Sequence, residues 1–425
     1  MQTADEVLIL GGGIGGLTLA LALHSRGIAC RVVEQAAAIT ALGVGVNLLP
    51  HSMKHLTLLG LAPAIAHIAV ETMEATFFNR FGQHIYGEPL GTRAGYDWPQ
   101  YSIHRGDLHL TLLAAFKARV GEARLHLGQR CTSVDQDVGG VSARLESSTG
   151  AITTIRAALA VACDGIHSAI RKQFYPNEGD PRYTGVNMWR GVTRWKPFLA
   201  GANMTRVGWL TPAKLVIYPI RNNIDREGHQ LINWVVEIET DQYKSKRDWN
   251  RPGRIEDFMP VVADWNFPWL DIPAMFRAAE SCLEYPMVDQ EPLPRWTFDR
   301  VTLLGDAAHP MAPRGSNGAG QSIIDAVVLA EEIARYGSCN AALAAYETRR
   351  LEPTANVVRE NRKNPPDALL REVYDRTGDR PFTRIEDVMS RDEMVAITDR
   401  YKRIAGYDQT SLQGGLATTG ATAQR

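Results

Sequence analysis

The chain of 425 residues carries 46 Lys plus Arg against 47 Asp plus Glu, a formal net charge of −1. That balance argues against a nucleic-acid partner and against docking on an anionic membrane surface. At 45% hydrophobic residues the composition is that of a soluble globular protein, long enough for two or three domains. In chain order, an apolar run Val7-Leu8-Ile9-Leu10 leads into Gly11-Gly12-Gly13-Ile14-Gly15-Gly16 and a helical stretch from Leu17 to Ser25. A β-rich run, Cys30 to Val33, then ends on Glu34 and Gln35. Gly11, Gly13 and Gly16 fill the positions of a G-x-G-x-x-G turn, which lets a pyrophosphate approach backbone at a helix N-terminus. An acid about twenty residues on, at the end of the next strand, suits a ribose. The motif alone is a common turn; strand, turn, helix, strand and acid together predict dinucleotide binding.

Further along, Leu42 to Asn47 is small and flexible, and 50–61 reads as a short helix. Alternation over 71–87 predicts antiparallel strands, and 91–99 a loop. Ser102 to Leu108 leads into a helix reaching about Val120. Strands are expected over 129–136 and 141–146, around a Gly139-Gly140 turn. A buried strand over 158–162 ends at Asp164-Gly165. The span 182–239 is strand-rich, 254–279 reads as helical, and a short strand over 301–304 ends at Gly305-Asp306. Helices follow over 319–336 and from 341 to about 361. From Ser411 onward Gly, Thr, Ala and Gln dominate, which reads as disorder. Parallel α/β signals near residues 10, 160 and 300 are separated by antiparallel ones. The fold class is therefore α/β: one Rossmann-like nucleotide-binding domain assembled from distant pieces, with an inserted mixed-sheet domain and a C-terminal helical region. The pieces are 1–75, 100–180 and 281–360 for the first, 76–99 and 181–280 for the second, and 361–425 for the last.

Five scattered cysteines with no CxxC pair read as buried thiols of a reducing compartment, and no metal-ligand cluster, Ser-His-Asp set or Walker loop emerges. The first strand begins too early for a signal peptide and no apolar run spans a bilayer, so the expected location is the cytoplasm.

Two further segments carry chemistry. Cys163-Asp164-Gly165-Ile166-His167-Ser168-Ala169-Ile170-Arg171 follows a strand and opens a helix. Leu304-Gly305-Asp306-Ala307-Ala308-His309-Pro310 is followed by Pro313 and a glycine-rich helix start, Gly315 to Gly320. Either alone could be an ordinary strand-to-helix turn. With the glycine-rich start, all three in this order resemble the single-component flavin-dependent aromatic hydroxylases, over roughly residues 5–360. Within that family the chain is most similar to phenazine hydroxylases, through Pro99 to Gly106, Met188 to Thr193, Asn233 to Val235 and Tyr285 to Asp289. It resembles salicylate and hydroxybenzoate hydroxylases more loosely. The stretch beyond about 365 is longer than the phenazine enzymes lead one to expect.

The resemblance implies tightly but non-covalently bound FAD, transient NADH or NADPH, and O2 as co-substrate, with oxygen passed to an aromatic or N-heteroaromatic acid through a flavin C4a-hydroperoxide, with or without decarboxylation. It implies that Gly11, Gly13, Ile14, Gly15 and Gly16 hold the pyrophosphate, Glu34 the adenosine ribose, with Gln35 and Cys131 on the adenosine side. Asp164 belongs to the second motif, Gly45 and Val46 pass beside the flavin, and Arg105 lies along the FAD. Asp306, Gly318 and Ala319 meet the ribityl chain and ring, and Pro313 the reactive side. For the substrate the candidates are Tyr218 as orienting or proton-relaying phenol, Trp189 and Trp234 as stacking rings or core, and Arg190, Arg206 or Arg314 as carboxylate partners, with Arg314 favoured because it follows Pro313. His309 is expected to shape its motif. Tyr218, Pro313 and Arg314 are the expected catalytic set, in a monomer or homodimer. A flavin-dependent halogenase is a weaker reading, because its W-x-W-x-I-P string is missing and Trp265 to Trp269 does not supply it. A quinone-pathway hydroxylase and a non-catalytic FAD-binding sensor are weaker readings too.

Overall fold

The computed structural model describes residues 6–41, 43–240, 251–363 and 365–413. The first sheet has six strands in the order Thr297–Phe298, Val301–Leu303, Leu159–Ala162, Val7–Leu10, Cys30–Val33 and Leu125–His126. All its pairings are parallel except that of the first two, which are antiparallel. Val7–Leu10 and Leu159–Ala162 are buried along their whole length, because a parallel sheet is covered on both faces and so reads as continuous apolar sequence. The helices Ile14–His24 and Gly318–Tyr336 pack together against it, with Asn340–Lys363 beside them.

The second sheet has seven strands in the order Ser281–Asp289, Arg182–Trp195, Gln230–Glu239, Lys214–Arg221, Asn203–Val207, Glu74–Phe78 and His84–Pro89. It is antiparallel apart from the parallel pairing of Asn203–Val207 with Glu74–Phe78. Ser281–Asp289 pairs with Arg182–Trp195, so this sheet runs on past 281, the position at which the sequence division returned the chain to the first domain. A small sheet of Gly45–Leu48, Tyr101–His104 and Val70–Glu71 stands between the two.

Some expected elements differ. The 254–279 stretch is not one helix: it holds a turn Ile255–Asp257, a short helix Met259–Val262, the strand pair Asn266–Phe267 and Leu270–Asp271, and a helix Ile272–Arg277. Pro260, Pro268 and Pro273 explain the breaks, since proline has no N–H to give to a helix interior. Asp271 restarts the last piece by accepting from Ala274 N–H at 2.9 Å. A helix Ala62–Ile68 and a strand Ile152–Ala157 were not expected. Ser411 lies in a helix, Gln409–Gln413, rather than at the start of a disordered tail; the rest of that tail falls outside the described residues. Cys30, Cys131 and Cys282 are buried and Cys163 and Cys339 half-buried, all as free thiols. Among the described residues no helix is long and apolar enough to cross a membrane and no group of three His, Cys, Asp or Glu could hold a metal.

Candidate active site

The glycine turn leaves the sheet at Gly11, whose N–H donates to Val33 O at 2.8 Å. A Cβ at Gly11 would lie 2.2 Å from the Cys163 carbonyl oxygen, and one at Gly16 2.0 Å from the Gly11 carbonyl oxygen. Neither position admits a side chain. Gly13 is the reverse case: nothing lies within 4 Å of where its Cβ would be. It is the N-cap of Ile14–His24, and no side chain caps that helix, so its first N–H groups face open space. Glu34 closes the turn, accepting from Gly12 N–H and from Ala36 N–H, each at 2.8 Å. Gln35 beside it is exposed. His109 faces the Gly12 carbonyl with Nε2 at 2.6 Å and Arg105 begins the same helix, exposed at its N-terminus. Cys131 is packed in the core below, its thiol against the Ser133 carbonyl, so only its backbone is left for an adenine.

The second and third motifs converge on this cleft from the neighbouring strands. Asp164 Oδ2 accepts from Ala169 N–H at 2.9 Å, while its Oδ1 is buried with no partner. Burial raises the Asp164 pKa, against the hydrogen bonds it accepts. Arg171, nearly fully buried, ties the two motifs together by donating from one terminal nitrogen to the carbonyls of Ala307 at 3.0 Å and Ala308 at 2.9 Å. The Gly305-Asp306 turn rests on a buried network: Asp325 accepts from Gly305 N–H at 3.2 Å and from Arg350 Nε at 2.7 Å, and contacts His309 Nε2 at 2.5 Å. His309 is thereby committed inside the fold. Asp306 itself is open to solvent, yet protein crowds it closely enough to raise its pKa, against the pull of His309 and Arg105. Gly318 and Ala319 follow at the start of a helix that also has no side-chain cap. Two uncapped helix starts, a bare glycine turn, one unpartnered buried carboxylate oxygen and one exposed aspartate line the cleft. They fit a ligand with a pyrophosphate, vicinal hydroxyls and a ring that takes up negative charge, as FAD has.

The second sheet supplies the other wall, and its pleat sorts the expected substrate residues. Trp189 and Trp234 lie on the back face, in one core with Phe258 and Phe276. Trp234 is fully buried, and its Nε1 donates to Thr193 Oγ1 at 3.0 Å. Neither tryptophan is placed to stack on a substrate, because side chains one residue apart on a strand point to opposite faces. Arg190 and Tyr218 lie on the front face, and the sequence carried no sign of which side the cofactor would take.

Arg190 is not free for a carboxylate. One terminal nitrogen donates to the Gly45 carbonyl at 2.8 Å and the other to the Tyr285 hydroxyl at 3.2 Å. Asn233, also on the front face, accepts from Gly45 N–H at 2.7 Å. The start of the Gly45–Leu48 strand is thus clamped onto the second sheet at both the N–H and the carbonyl of Gly45. Tyr218 bonds to Asn47 and Arg190; burial raises its pKa, so it remains a neutral phenol. Arg206 stacks over the Phe77 ring at 5.2 Å and touches Met204 Sδ at 3.2 Å. It approaches Asp367, as does Arg314. Lys214, fully buried, pairs with Glu237 at 2.8 Å and with Asp367. Burial opposes ionisation of Asp367, but Lys214 and Arg206 bring its pKa down to about 2. Arg314 Nε is buried with no partner. Ala312, two residues before it, packs with Met188, Val235, Leu210 and Tyr285, so the Pro313 loop meets the front face of the sheet. Sequence reasoning gave no role to Asn47, Arg171, Asn233, Tyr285 and Asp367: the first four fall in segments it singled out, but each acts on a segment far away in the chain.

The family of the FAD binding domain matches residues 4–246 and 285–361. The chain is 38% identical to the phenazine 1,6-dicarboxylic acid hydroxylase of Lysobacter antibioticus, over 95% of this chain and 97% of that one. That coverage overturns one expectation: the stretch beyond about 365 is no longer here than in the phenazine enzyme. The chain is 32% identical to a 3-amino-4-hydroxybenzoate 2-monooxygenase of Streptomyces platensis, over 88% and 92%. A salicylate hydroxylase solved with its substrate shares the fold, with a TM-score of 0.72 over 99% of both chains at 21% identity. The chain therefore belongs to the FAD-binding-domain family, as an FAD- and NAD(P)H-dependent aromatic monooxygenase.

Proposed function

We propose that this protein hydroxylates a carboxylated N-heteroaromatic ring, a phenazine carboxylic acid being the favoured substrate. The observation that carries the reading is the charge around Asp367. Lys214 lies between Asp367 and Glu237, and Arg206 and Arg314 add two further positive charges, leaving an excess of one cation beside an apolar front face. A carboxylate on a flat apolar ring complements that arrangement.

The roles follow. Gly11, Gly13, Ile14, Gly15 and Gly16 hold the pyrophosphate through backbone N–H groups, and Glu34 the adenosine ribose, with Gln35 and the Cys131 backbone on the adenosine side. Asp164, Arg105 and Asp306 face the ribityl and pyrophosphate region, and Gly45, Val46, Gly318 and Ala319 the ring. FAD, when bound there, accepts reducing equivalents from NAD(P)H and activates O2 for insertion of one oxygen into the substrate. Arg206 and Arg314 orient the acid so that a ring carbon faces Pro313. The neutral Tyr218 phenol donates to a heteroatom of the substrate and holds a proton at that atom. Arg190 keeps the Gly45 strand seated, and Met188, Val216, Val235 and Leu210 keep water from the reacting atoms.

The test is NAD(P)H oxidation by FAD-loaded protein with a phenazine carboxylate, its methyl ester, a simple benzoate and no aromatic. Strong stimulation by the free phenazine acid alone, with a product heavier by one oxygen, is expected. NAD(P)H consumption that ignores the aromatic, or that yields only hydrogen peroxide with each of them, contradicts the reading. A sensor would bind the acid without stimulated turnover.

A further inference from the structure

On the strand Lys214–Arg221, the residues Lys214, Val216 and Tyr218 share the front face, because side chains two apart on a strand point the same way. Four residues of strand set Lys214 about 13 Å from Tyr218. Register carries the rows across the sheet. Lys214 lies opposite Glu237, and Val216 lies opposite Val235 on one side and Arg206 on the other. The front face thus runs from Lys214 and Glu237, past Arg206, to the Tyr218 phenol.

Lys214 is 1% exposed, and its ammonium contacts Glu237 Oε2 at 2.8 Å and Asp367 Oδ2. Glu237 and Asp367 are buried with it. Water screens charges poorly at that depth, so each acts strongly on its neighbours. Asp367 comes from beyond residue 361, where the family match ends, just before the helix Ala368–Thr377. Arg206 and Arg314 both favour its ionised form. Arg314 Nε is buried without a partner, and Arg206 lies over the Phe77 ring at 5.2 Å. Two carboxylates next to this group are already paired, Glu88 with Lys402 at 2.8 Å and Glu360 with Arg400 at 3.2 Å. Asp367 and Glu237 are therefore the carboxylates that compete for the arginines, and Lys214 bonds to both. Were Lys214 uncharged, two carboxylates would face two arginines, and no cation would be left over for an acid.

We infer that Lys214 is a positioning residue that selects acidic substrates: by holding the Asp367 and Glu237 carboxylates, it keeps the Arg206 and Arg314 guanidinium groups for the carboxylate of the substrate. Lys214 does not itself meet the ligand. It sets the sign of the charge that the ligand meets, and so decides between a free acid and its neutral analogue. Asp367 brings the C-terminal region into this choice. The inference rests on the assignment of Arg206 and Arg314 to the acid proposed above.

The test compares a phenazine carboxylate with its methyl ester, each titrated into FAD-loaded protein while the visible flavin spectrum is followed. The wild type binds the acid more tightly; equal affinities would remove the underlying assignment and the inference with it. In Lys214→Met, which keeps the length of the side chain and loses the charge, acid affinity falls roughly tenfold or more while ester affinity holds. In Glu237→Gln the excess of positive charge grows and the acid binds more tightly than in the wild type. The double variant Lys214→Met/Asp367→Asn removes one charge of each sign and regains the preference for the acid. A merely structural lysine would give equal losses for acid and ester in Lys214→Met, and that result overturns the inference. So does unchanged or weaker acid binding in Glu237→Gln, or a double variant that binds the acid as poorly as Lys214→Met. Where Lys214→Met does not fold, Glu237→Gln decides by the sign of its effect.

Discussion

Gly11, Gly13 and Gly16 lie within a single turn and shape the proposed cofactor cleft with backbone alone. Arg190, Arg206, Tyr218 and Arg314 come from separate strands and a distant loop, and they bring side chains to the opposite wall. In the first sheet a ligand is met by helix starts and bare glycines, of which Gly11 and Gly16 have no room for a side chain. In the second it is met by every other residue of each strand, while the intervening residues build a separate core around Trp234, Phe258 and Phe276. A cofactor common to a whole family suits the first arrangement, since backbone N–H groups do not depend on side-chain identity. A substrate that differs among relatives suits the second, where one substitution changes one contact.

Substitutions on the two walls should therefore fail in different ways. The largest effect belongs to Gly16→Ala, whose methyl would stand 2.0 Å from the Gly11 carbonyl oxygen. A loss on the order of 5 kcal/mol is expected, with colourless or insoluble protein; retention of FAD at the wild-type melting temperature would show that the turn can relax. Next is Asp325→Asn, which leaves Arg350 buried without its carboxylate partner beneath the Asp306 turn. It should cost about 3–5 kcal/mol in denaturant unfolding and weaken FAD retention together.

The acid limb of stability has a definite sign. Asp325 and Asp367 are both held below the usual carboxylate range, so their contribution is complete above about pH 4 and is lost as pH falls below it, for Asp367 through about 2. In Asp367→Asn that limb should be shallower on a plot of melting temperature against pH; an unchanged slope would mean that Lys214 and Arg206 do not hold the carboxylate down.

On the substrate wall, Arg314→Ala should raise KM for the free acid by about ten- to hundredfold and for its methyl ester much less, the value of one charge-assisted contact. Equal effects on acid and ester would remove the carboxylate from Arg314. The smallest change is Trp234→Phe on the back face: about 1–2 kcal/mol of stability should be lost with KM unaltered. A raised KM there would break the division of the sheet into two faces.

How much of this was legible in the sequence follows the same division. The glycine turn, Glu34, Asp164 and Asp306 are local patterns, and the strands carrying them read as apolar runs because both sheet faces are covered. The antiparallel region read correctly as strand, but period-2 alternation names two faces without saying which one turns to the cofactor. Trp189 and Trp234 read as stacking rings or as core for that reason, and the structure gives them to the core; Arg190 looked free because its acceptor, the Gly45 carbonyl, is remote in sequence. The 254–279 stretch misled through apolar spacing that its three prolines override.

The division between a backbone-built cofactor wall and a side-chain-built substrate wall is tested most directly by one titration. FAD-loaded Arg206→Ala/Arg314→Ala is titrated with a phenazine carboxylate while the visible flavin spectrum is followed beside the wild type. The account predicts full FAD content and a spectrum that the acid no longer perturbs at concentrations saturating the wild type. Loss of FAD from the double variant, or perturbation at wild-type affinity, would contradict it.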